Sequence, residues 1–330
     1  MAYSSTDISS DELKGYNDDC PMLIGKNLLS ATTVTSASFA PIDAASGSTS
    51  YNLEYTPLKR VYDGLLDVPC VMDQYRAFTT PTSSNTDAWL SMEVTSLAFD
   101  TVIITGHNAT SERYKNMEVV VSNSSTFDTY EGVTTRFVSS FDYESPSWRD
   151  LIKTNVRMVD THLSNTANSA TTNPQKYSNV DYLAVRWVSE NEWFAPRIGE
   201  LVIGKRLQLR HHPDIEWNDE DYSSTVADLE TADGNIIRHT LNKGQAVRKA
   251  TMVLDSADEI AAVETWWKEC NHGKNPFWWI ETPKSDPRAY YMQAVNASLD
   301  FPQDTGVSAR TLTLDMVEQK PFWAWEKKML

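Results

Sequence analysis

The stretch "SADEIAAVETWWKECNHGKNPFWWIETP" (256–283) predicts a helix followed by a strand. Ser256 precedes apolar residues at helical spacing, and Glu259 stands three residues later, which is the pattern of a capping box. Gly273 is placed to end the helix, because glycine readily adopts the left-handed backbone found there. Four consecutive apolar residues then begin a strand. We therefore expect a helix over residues 256–272 that packs on a sheet.

The four apolar residues of that strand are Phe277, Trp278, Trp279 and Ile280. Side chains alternate along a strand, so Phe277 and Trp279 are expected on one face and the other two on the opposite face. Aromatic rings on both faces predict that both faces are covered. Three interpretations remain: core packing with a domain contact, a subunit interface, or a sugar-stacking platform. The first is favoured, because a sugar platform needs rings on one open face only.

The C-terminal stretch "KPFWAWEKKML" (320–330) carries three more aromatic residues, Phe322, Trp323 and Trp325. Tryptophan is a frequent anchor of protein interfaces. This tail is expected either to fold back on its own domain or to contact another subunit.

The residues before position 210 show mostly β patterns. "WLSMEV" (89–94) alternates, and "DTVIITG" (100–106) is a continuous β-branched run, typical of a strand covered on both faces. Clusters of Ser, Thr, Asn, Asp and Gly separate these segments and indicate turns. The fold class expected is therefore mainly β, with an N-terminal β-sandwich of jelly-roll type and a small β domain with one packed helix.

The sequence divides into four predicted segments. They are an N-terminal arm (1–24), the β-sandwich (25–209), a linker (210–234) and a C-terminal β domain (235–330). The arm is polar and acidic, so it is expected either to fray or to order on a neighbouring subunit. The linker is predicted from the polar stretch "RHHPDIEWNDEDYSST" (210–225).

Length and charge exclude several classes of function. The chain has 330 residues and a formal net charge of −16. This disfavours nucleic acid as a partner, because affinity for phosphate backbones comes mostly from Lys and Arg. No apolar run approaches the roughly 20 residues of a membrane span, and the N-terminus lacks the pattern of a signal peptide. We expect a chain that is made in the cytosol and does not insert into membranes.

The sequence contains no recognised catalytic or cofactor motif. HExxH, GxSxG, a Walker loop and GxGxxG before a helix are all missing. The cysteines, Cys20, Cys70 and Cys270, are odd in number and far apart, which predicts neither a disulfide framework nor a CxxC metal site. His211 and His212 are adjacent, so in an extended chain they point to opposite sides and rarely share an ion. We expect no enzyme activity, no cofactor and no metal centre.

One dipeptide leaves an alternative open. Asp63-Gly64 is a common turn pair, and the turn is the favoured interpretation. An Asp at such a position can also hold a structural calcium ion together with nearby backbone carbonyl groups.

Two parts of the sequence resemble known proteins. The order of "AWLSMEVTSLAFDTVIITGHN" (88–108), "MEVVVSNSSTFDT" (117–129) and "YLAVRWV" with "FAPRIGELVIGKRLQL" (within 182–209) resembles galactose-binding-like, or discoidin-like, β-sandwich domains. The version it resembles occurs in tail-tip proteins of tailed bacteriophages. Residues 257–294 and "ARTLTLDMVEQKPF" (309–322) are similar to the C-terminal part of phage distal-tail and minor-tail proteins.

These resemblances imply a structural component of a bacteriophage tail tip or baseplate. Such a protein would form a symmetric homo-oligomeric ring, bind other tail proteins, and reside in the virion after assembly in the host cytoplasm. The residues expected at its subunit or domain interfaces are Phe277, Trp278, Trp279, Phe322, Trp323 and Trp325.

The alternative is a carbohydrate-binding, receptor-recognition protein of the virion. In that case Trp148, Tyr177 and Trp193 would stack against host surface glycan, although packing at the edge of the sandwich is the favoured interpretation of each. A glycoside hydrolase is a third hypothesis, and the sequence offers no recognisable site for it.

Overall fold

The computed structural model describes residues 2–38, 58–63, 70–71, 88–107, 114–134, 157–163, 174–189, 197–221, 226–230, 236–240, 245–285, 287–295 and 310–319. The described chain is mainly β with few helices, which confirms the predicted fold class. None of its described helices is long and apolar enough to cross a membrane.

The strands, in chain order, are β1 (Ser4–Asp7), β2 (Met22–Ile24), β3 (Val34–Ser38), β4 (Cys70–Val71), β5 (Ala88–Phe99), β6 (Thr101–Thr105), β7 (Tyr114–Ser122), β8 (Glu131–Gly132), β9 (Arg157–Asp160), β10 (Gln175–Ser189), β11 (Arg197–Ile198), β12 (Glu200–Gly204), β13 (Leu207–Gln208), β14 (Asp214–Asp221), β15 (Val226–Glu230), β16 (Ile236–Thr240), β17 (Gln245–Leu254), β18 (Phe277–Glu281), β19 (Arg288–Ala294) and β20 (Arg310–Glu318). The helices are α1 (Lys14–Asn17), α2 (Ala257–Glu269) and a 3₁₀ helix (Leu58–Val61).

The chain forms two compact units. Unit 1 comprises Met1–Ser10 and Asn27–Arg206, and unit 2 comprises Asp11–Lys26 and Leu207–Leu330. The N-terminal arm predicted for residues 1–24 is therefore divided between the two units. The boundary after residue 206 lies close to the predicted end of the sandwich.

The stretch predicted as a linker contains strands. β14 pairs with β17, and β15 pairs with β16. β14 reads as polar because it is the last strand in the order of its sheet, and its residues Asp214 and Glu216 are exposed. Ile215, between these two residues, packs against the core, so β14 alternates as an edge strand, and its many acidic residues explain why the stretch looks like a loop in the sequence.

Unit 1 is a sandwich of antiparallel sheets. The main sheet has the order β3-β5-β10-β7-β8, with β1 also paired to β10, and a three-stranded sheet has the order β12-β6-β9. Asp100 alone separates β5 from β6, so the chain passes from one sheet to the other there. Side chains of both sheets share one core, which includes Leu90, Met92, Val102, Ile104, Val119, Val121, Leu183, Val185, Leu201 and Ile203.

The run "TVIIT" is covered on both faces, as the sequence predicts. Every residue of β6 is buried, and so is every residue of its neighbour β12. A strand with no solvated face needs no polar alternation, which explains its continuous β-branched composition.

Unit 2 contains a seven-stranded antiparallel sheet in the order β13-β2-β18-β19-β20-β17-β14. Helix α2 packs on one face of this sheet. Its residues Val263, Trp266 and Trp267 share a core with Phe277 and Trp279 of the sheet. The separate hairpin of β15 and β16 also belongs to this unit.

The start of α2 follows the predicted cap in part. Ser256 is the N-cap, and its side chain accepts a hydrogen bond from the Glu259 backbone N–H at 3.2 Å. The Glu259 carboxylate accepts from the backbone N–H of Asp255, one residue before the position of a standard capping box. The same carboxylate also accepts from the Arg210 backbone N–H at 3.3 Å.

The end of α2 is a Schellman motif centred on Asn271. The His272 N–H donates to the Trp267 carbonyl at 2.9 Å, and the Asn271 N–H donates to the Lys268 carbonyl at 3.0 Å. Asn271 has a φ of 50°, the left-handed position of this motif. The predicted terminator, Gly273, follows two residues later with a φ of 75°, and a Cβ there would lie 2.3 Å from the Trp267 ring.

Candidate functional site

The predicted glycan-stacking residues do not form an open site in the described chain. Trp148 and Trp193 lie outside the described residues. Tyr177 is 1% exposed and stacks on Phe99 with 5.5 Å between ring centroids. Its hydroxyl donates to Glu131 Oε1 at 2.9 Å, and burial raises its pKa. Tyr177 therefore belongs to the core of unit 1 and offers no free ring face to a sugar.

The adjacent aromatic residues of β18 are all buried. Phe277 and Trp279 lie in the core beneath α2. Trp278 is 2% exposed and contacts Tyr291, with 4.8 Å between ring centroids. Because no ring of this group is exposed, these residues do not form a sugar platform. Phe322, Trp323 and Trp325 lie outside the described residues, and their interface role stays a prediction.

The turn or calcium alternatives at Asp63 both stay predictions. Asp63 is exposed and follows the 3₁₀ helix, while Gly64 lies outside the described residues. Within the described part of the chain, no group of three or more His, Cys, Asp or Glu side chains could hold a metal ion.

The histidine pair does not converge on one point. His211 Nε2 lies 2.8 Å from Asp255 Oδ2, whereas the His212 ring contacts the backbone oxygen of Asp18. Each imidazole is therefore directed at a different segment of unit 2.

The cysteines are free and buried. Burial raises the pKa of Cys20 to about 11 and those of Cys70 and Cys270 to about 12. These side chains stay protonated at neutral pH and are poor nucleophiles, since the thiolate is the reactive form.

A cluster that the sequence did not reveal lies on the face of the main sheet of unit 1 that points away from the sandwich core. Arg186 of β10 is opposite Trp89 of β5 on one side and opposite Glu118 of β7 on the other. The Arg186 guanidinium lies 5.5 Å from the Trp89 ring and 5.3 Å from the Tyr130 ring. Its Nη1 donates to Glu118 Oε1 at 2.6 Å. We call Trp89, Glu118, Phe127, Tyr130, Tyr182 and Arg186 the aromatic–arginine patch.

The loop between β7 and β8 completes this patch. Phe127, with a φ of 54°, packs against Trp89 at 5.9 Å and against Tyr182 at 6.5 Å between ring centroids. The Ser122 hydroxyl holds the loop by donating to the Thr129 carbonyl at 2.7 Å. The rings are therefore fixed by packing before any ligand arrives.

The patch combines an exposed aromatic ring with a hydrogen-bond donor, the Arg186 guanidinium, and a hydrogen-bond acceptor, the Glu118 carboxylate. Tyr130 is 39% exposed, and Tyr182 is half-buried. The side chains of Arg186 and Glu118 are partly exposed beside them. A ring face flanked by a donor and an acceptor suits an amphipathic ligand. Long-range strand pairing creates this arrangement, and Trp89 alone, in an alternating strand, gave no signal for it.

A second candidate surface lies on the sheet of unit 2, opposite α2. Cross-strand pairs of β17 and β20 form it: Val247 with Val317, Lys249 with Asp315, Thr251 with Thr313, and Val253 with Thr311. We call these eight residues the threonine–valine face. Val253 is 48% exposed, and both threonines of β20 are also exposed.

The composition of this face differs from that of the whole chain. The net charge of the chain is −16, whereas the face carries one lysine and one aspartate, which oppose each other across the strands. Lys249 also contacts Glu216 at 3.3 Å. β-branched residues that are exposed on a sheet present a regular, weakly charged surface.

Comparisons with known proteins give little further information. No family model matches the sequence, and no curated protein matches it. Among solved structures, the chain is similar to a pectin-binding carbohydrate-binding module determined in a monoclinic crystal form. The identity is 10% and the TM-score 0.26, over 52% of this chain and 89% of that chain.

Proposed function

We propose that this chain is a structural component of a bacteriophage tail tip or baseplate and that it assembles into a homo-oligomeric ring. The observation that carries the assembly is the threonine–valine face of unit 2. The sequence resemblance to tail-tip proteins supports the tail tip or baseplate as the place where the chain assembles. The tail proteins, rather than a small-molecule substrate, are the expected partners.

Charge explains why this face suits contact between copies. Copies of a chain with a net charge of −16 repel each other over most of their surface. The threonine–valine face itself carries no net charge, because its two charged residues are of opposite sign, and the exposed Asp214 and Glu216 of β14 flank it on the same side of the sheet. Short β-branched side chains also lose little conformational freedom when they are buried.

A ring requires that this face meets a different surface of the next copy. Such heterologous contacts close into a ring when the rotation between copies divides a full turn. Within unit 2, α2, β18, β19 and β20 follow each other in the order of the resemblance, and the last three are neighbours in one sheet. This order supports the proposed relation to the C-terminal part of tail proteins.

The test measures the mass of the purified protein by mass photometry, alone and mixed with the other tail proteins of its virus. The native chain is expected to form oligomers of one defined size. Val253→Asp and Thr313→Asp are expected to leave monomers, because each places uncompensated negative charge on the face. Ala262→Asp, on an exposed position of α2, is the matched control and should assemble normally. A native chain that stays monomeric in every mixture contradicts the proposal.

The second candidate function is carbohydrate binding by the aromatic–arginine patch. The observation that favours it is the exposed Tyr130 ring beside the partly exposed Arg186 and Glu118. A glycan would stack one sugar face on the ring and exchange hydrogen bonds with the two charged groups.

A glycan array followed by calorimetry tests this second function. Tyr130→Ala should weaken binding at least ten-fold, because it removes the stacking surface. Tyr130→Phe keeps the ring and should retain most of the affinity. A native chain that binds no glycan, or equal affinity for native and Tyr130→Ala chains, contradicts this candidate.

A further inference from the structure

The N-terminal segment contributes strands to both units. β1 pairs with β10 in unit 1, with Ser4 opposite Ser178 and Asp7 opposite Gln175. β2 pairs with β13 and β18 within the sheet of unit 2. One short stretch of chain therefore begins on the surface of unit 1 and continues into the interior of unit 2.

β1 is held on unit 1 as an added surface strand. None of its four residues is buried. Two residues that flank it act as anchors: the Tyr3 hydroxyl donates to Glu131 Oε2 at 3.1 Å, and the Ile8 N–H donates to the Pro174 carbonyl at 2.9 Å. The Ile8 side chain is buried. Backbone pairing with a few side-chain anchors is how extended peptides bind to sheets in trans.

The part of the segment that follows β1 is fixed in unit 2. Cys20 and Leu23 belong to the core of that unit. Gly15 lies so close to the Leu209 carbonyl that a Cβ there would be 1.6 Å from its oxygen. Residues 11–26 cannot leave unit 2 without opening its core. Residues 3–8 can leave unit 1 by releasing the surface strand β1 together with the buried side chain of Ile8 and the packed ring of Tyr3.

Only Ser9 and Ser10 separate the buried Ile8 from Asp11, where unit 2 begins. When an identical strand is exchanged between copies, the contacts made are the same in the closed and exchanged forms. The equilibrium between the closed and exchanged forms is then set by the hinge and by the local concentration of the neighbouring site. A short hinge favours exchange when closure within one chain would strain it, and neighbours held in a ring supply a high local concentration.

We infer that, in the assembled ring, residues 3–8 of one copy pair with β10 of the next copy. The occupant of this docking site is thus a second copy of the same chain. The inference rests on the ring proposed above and adds a second connection between neighbours. In it, Tyr3 of one copy donates to Glu131 of the next.

A disulfide tests the exchange directly. The Ser4 and Ser178 hydroxyl oxygens are 2.8 Å apart on paired strands, so cysteines at both positions can bridge. Assembled Ser4→Cys/Ser178→Cys rings are oxidised and run on a denaturing gel without reductant. Exchange predicts a ladder of covalent oligomers that collapses to monomer on reduction. Closure within each chain gives monomers only and overturns the inference.

A matched pair in unit 1 controls for random cross-linking. Ser36 and Glu93 are partners on β3 and β5, with their side-chain oxygens 3.1 Å apart, and both are exposed. Ser36→Cys/Glu93→Cys rings should give monomers under the same oxidation. A ladder from this control pair equal to that of the test pair would also overturn the inference.

Tyr3→Ala provides a second measurement that needs no disulfide. If β1 is exchanged, this variant weakens the ring, and its dissociation concentration rises at least five-fold, while Tyr3→Phe has a smaller effect. If β1 stays in its own chain, the dissociation concentration is unchanged, and the inference fails. Failure of the native chain to form rings counts against the proposed function itself. Native rings that cross-link only within chains count against the exchange alone.

Discussion

The two units bury their cores by different means. Unit 1 places two sheets face to face, and its core is mostly aliphatic, as in Leu183 and Ile203. In unit 2, helix α2 covers one face of the seven-stranded sheet, and the core between them contains Trp266 and Trp279. One helix is narrower than a sheet, so large rings fill the space that a second sheet fills in unit 1. The tryptophans beneath α2 are therefore explained by packing.

The units also differ in how they bury charge. In unit 2, Arg248 is fully buried and its Nε donates to Glu281 Oε1 at 2.9 Å. In unit 1, Glu200 is buried with a weak hydrogen bond from Asn27 at 3.3 Å, and its Oε2 accepts no hydrogen bond. Removing the Glu281 carboxylate should thus destabilise unit 2, whereas removing the Glu200 carboxylate should stabilise unit 1.

The largest effect is expected from Trp279→Ala. This side chain is fully buried beneath α2, and its loss leaves a cavity that one helix cannot close. Unit 2 should lose about 4 to 5 kcal/mol of unfolding free energy. Hydrogen exchange should rise in β18 and β19 and stay unchanged in β6 and β12. Val253→Ala, on the exposed face, is the control with an effect below about 0.5 kcal/mol. Equal loss of protection in β6 would show that the cores are not independent.

The second prediction concerns the buried ion pair. Glu281→Ala leaves the Arg248 guanidinium, which also lies 4.8 Å from the Tyr290 ring, without its carboxylate. Unit 2 should lose about 3 to 4 kcal/mol, measured by urea denaturation. The double variant Arg248→Met/Glu281→Leu removes both charges and should recover most of that loss. A double variant that is less stable than Glu281→Ala would mean that the ion pair contributes more to the stability of unit 2 than the mutual compensation of its two charges.

The helix and its strand were predictable because their signals are local. The cap at Ser256 and the alternation of Phe277 and Trp279 depend on residues within a few positions of each other. The division of the N-terminal arm depends on pairing between β1 and β10, which lie far apart in the sequence. No local pattern marks such a pairing, so the sequence predicts the arm as one segment.

The candidate site was less predictable than the fold. The sequence offers Tyr177 as a glycan-stacking residue only under the alternative function, and in the structure its hydroxyl donates to Glu131, 46 residues away. The aromatic–arginine patch joins β5, β7 and β10 with a loop, and each contributes one or two unremarkable residues. Its geometry follows from strand register, which depends on the packed sandwich rather than on any single stretch.

The third prediction uses the buried carboxyl of unit 1. Burial is the main cause that raises the pKa of Glu200 from 4.5 to about 7, and the charge of Asp63 adds to it. The folded state therefore binds this proton more tightly than the unfolded chain, so ionisation destabilises unit 1. The loss begins as pH rises above about 4.5 and is complete above about pH 7. At about 1.4 kcal/mol per pKa unit, the loss is about 3 kcal/mol.

Glu200→Gln removes that loss, because an amide stays neutral. The variant should be more stable than the native chain by up to about 3 kcal/mol at pH 8, and the advantage should shrink toward pH 5. Urea denaturation in the presence of a chelator, followed by hydrogen exchange in β6 and β12, measures this difference in stability between the variant and the native chain. Glu93→Gln, at an exposed position of β5, is the control and should show little change with pH. An advantage of the same size at both pH values would exclude ionisation as its cause.

The smallest effect is expected from Ser256→Ala at the start of α2. The variant removes the acceptor of the Glu259 N–H and should cost unit 2 about 1 kcal/mol. The loss stays small because the Glu259 carboxylate still accepts from the Asp255 N–H at 3.2 Å and so keeps the first turn in place. Ser256→Asn supplies a new acceptor and should restore most of the stability. Hydrogen exchange of the first turn measures both variants. A loss as large as that of Trp279→Ala would mean that the cap, rather than the rings beneath α2, holds the helix on its sheet.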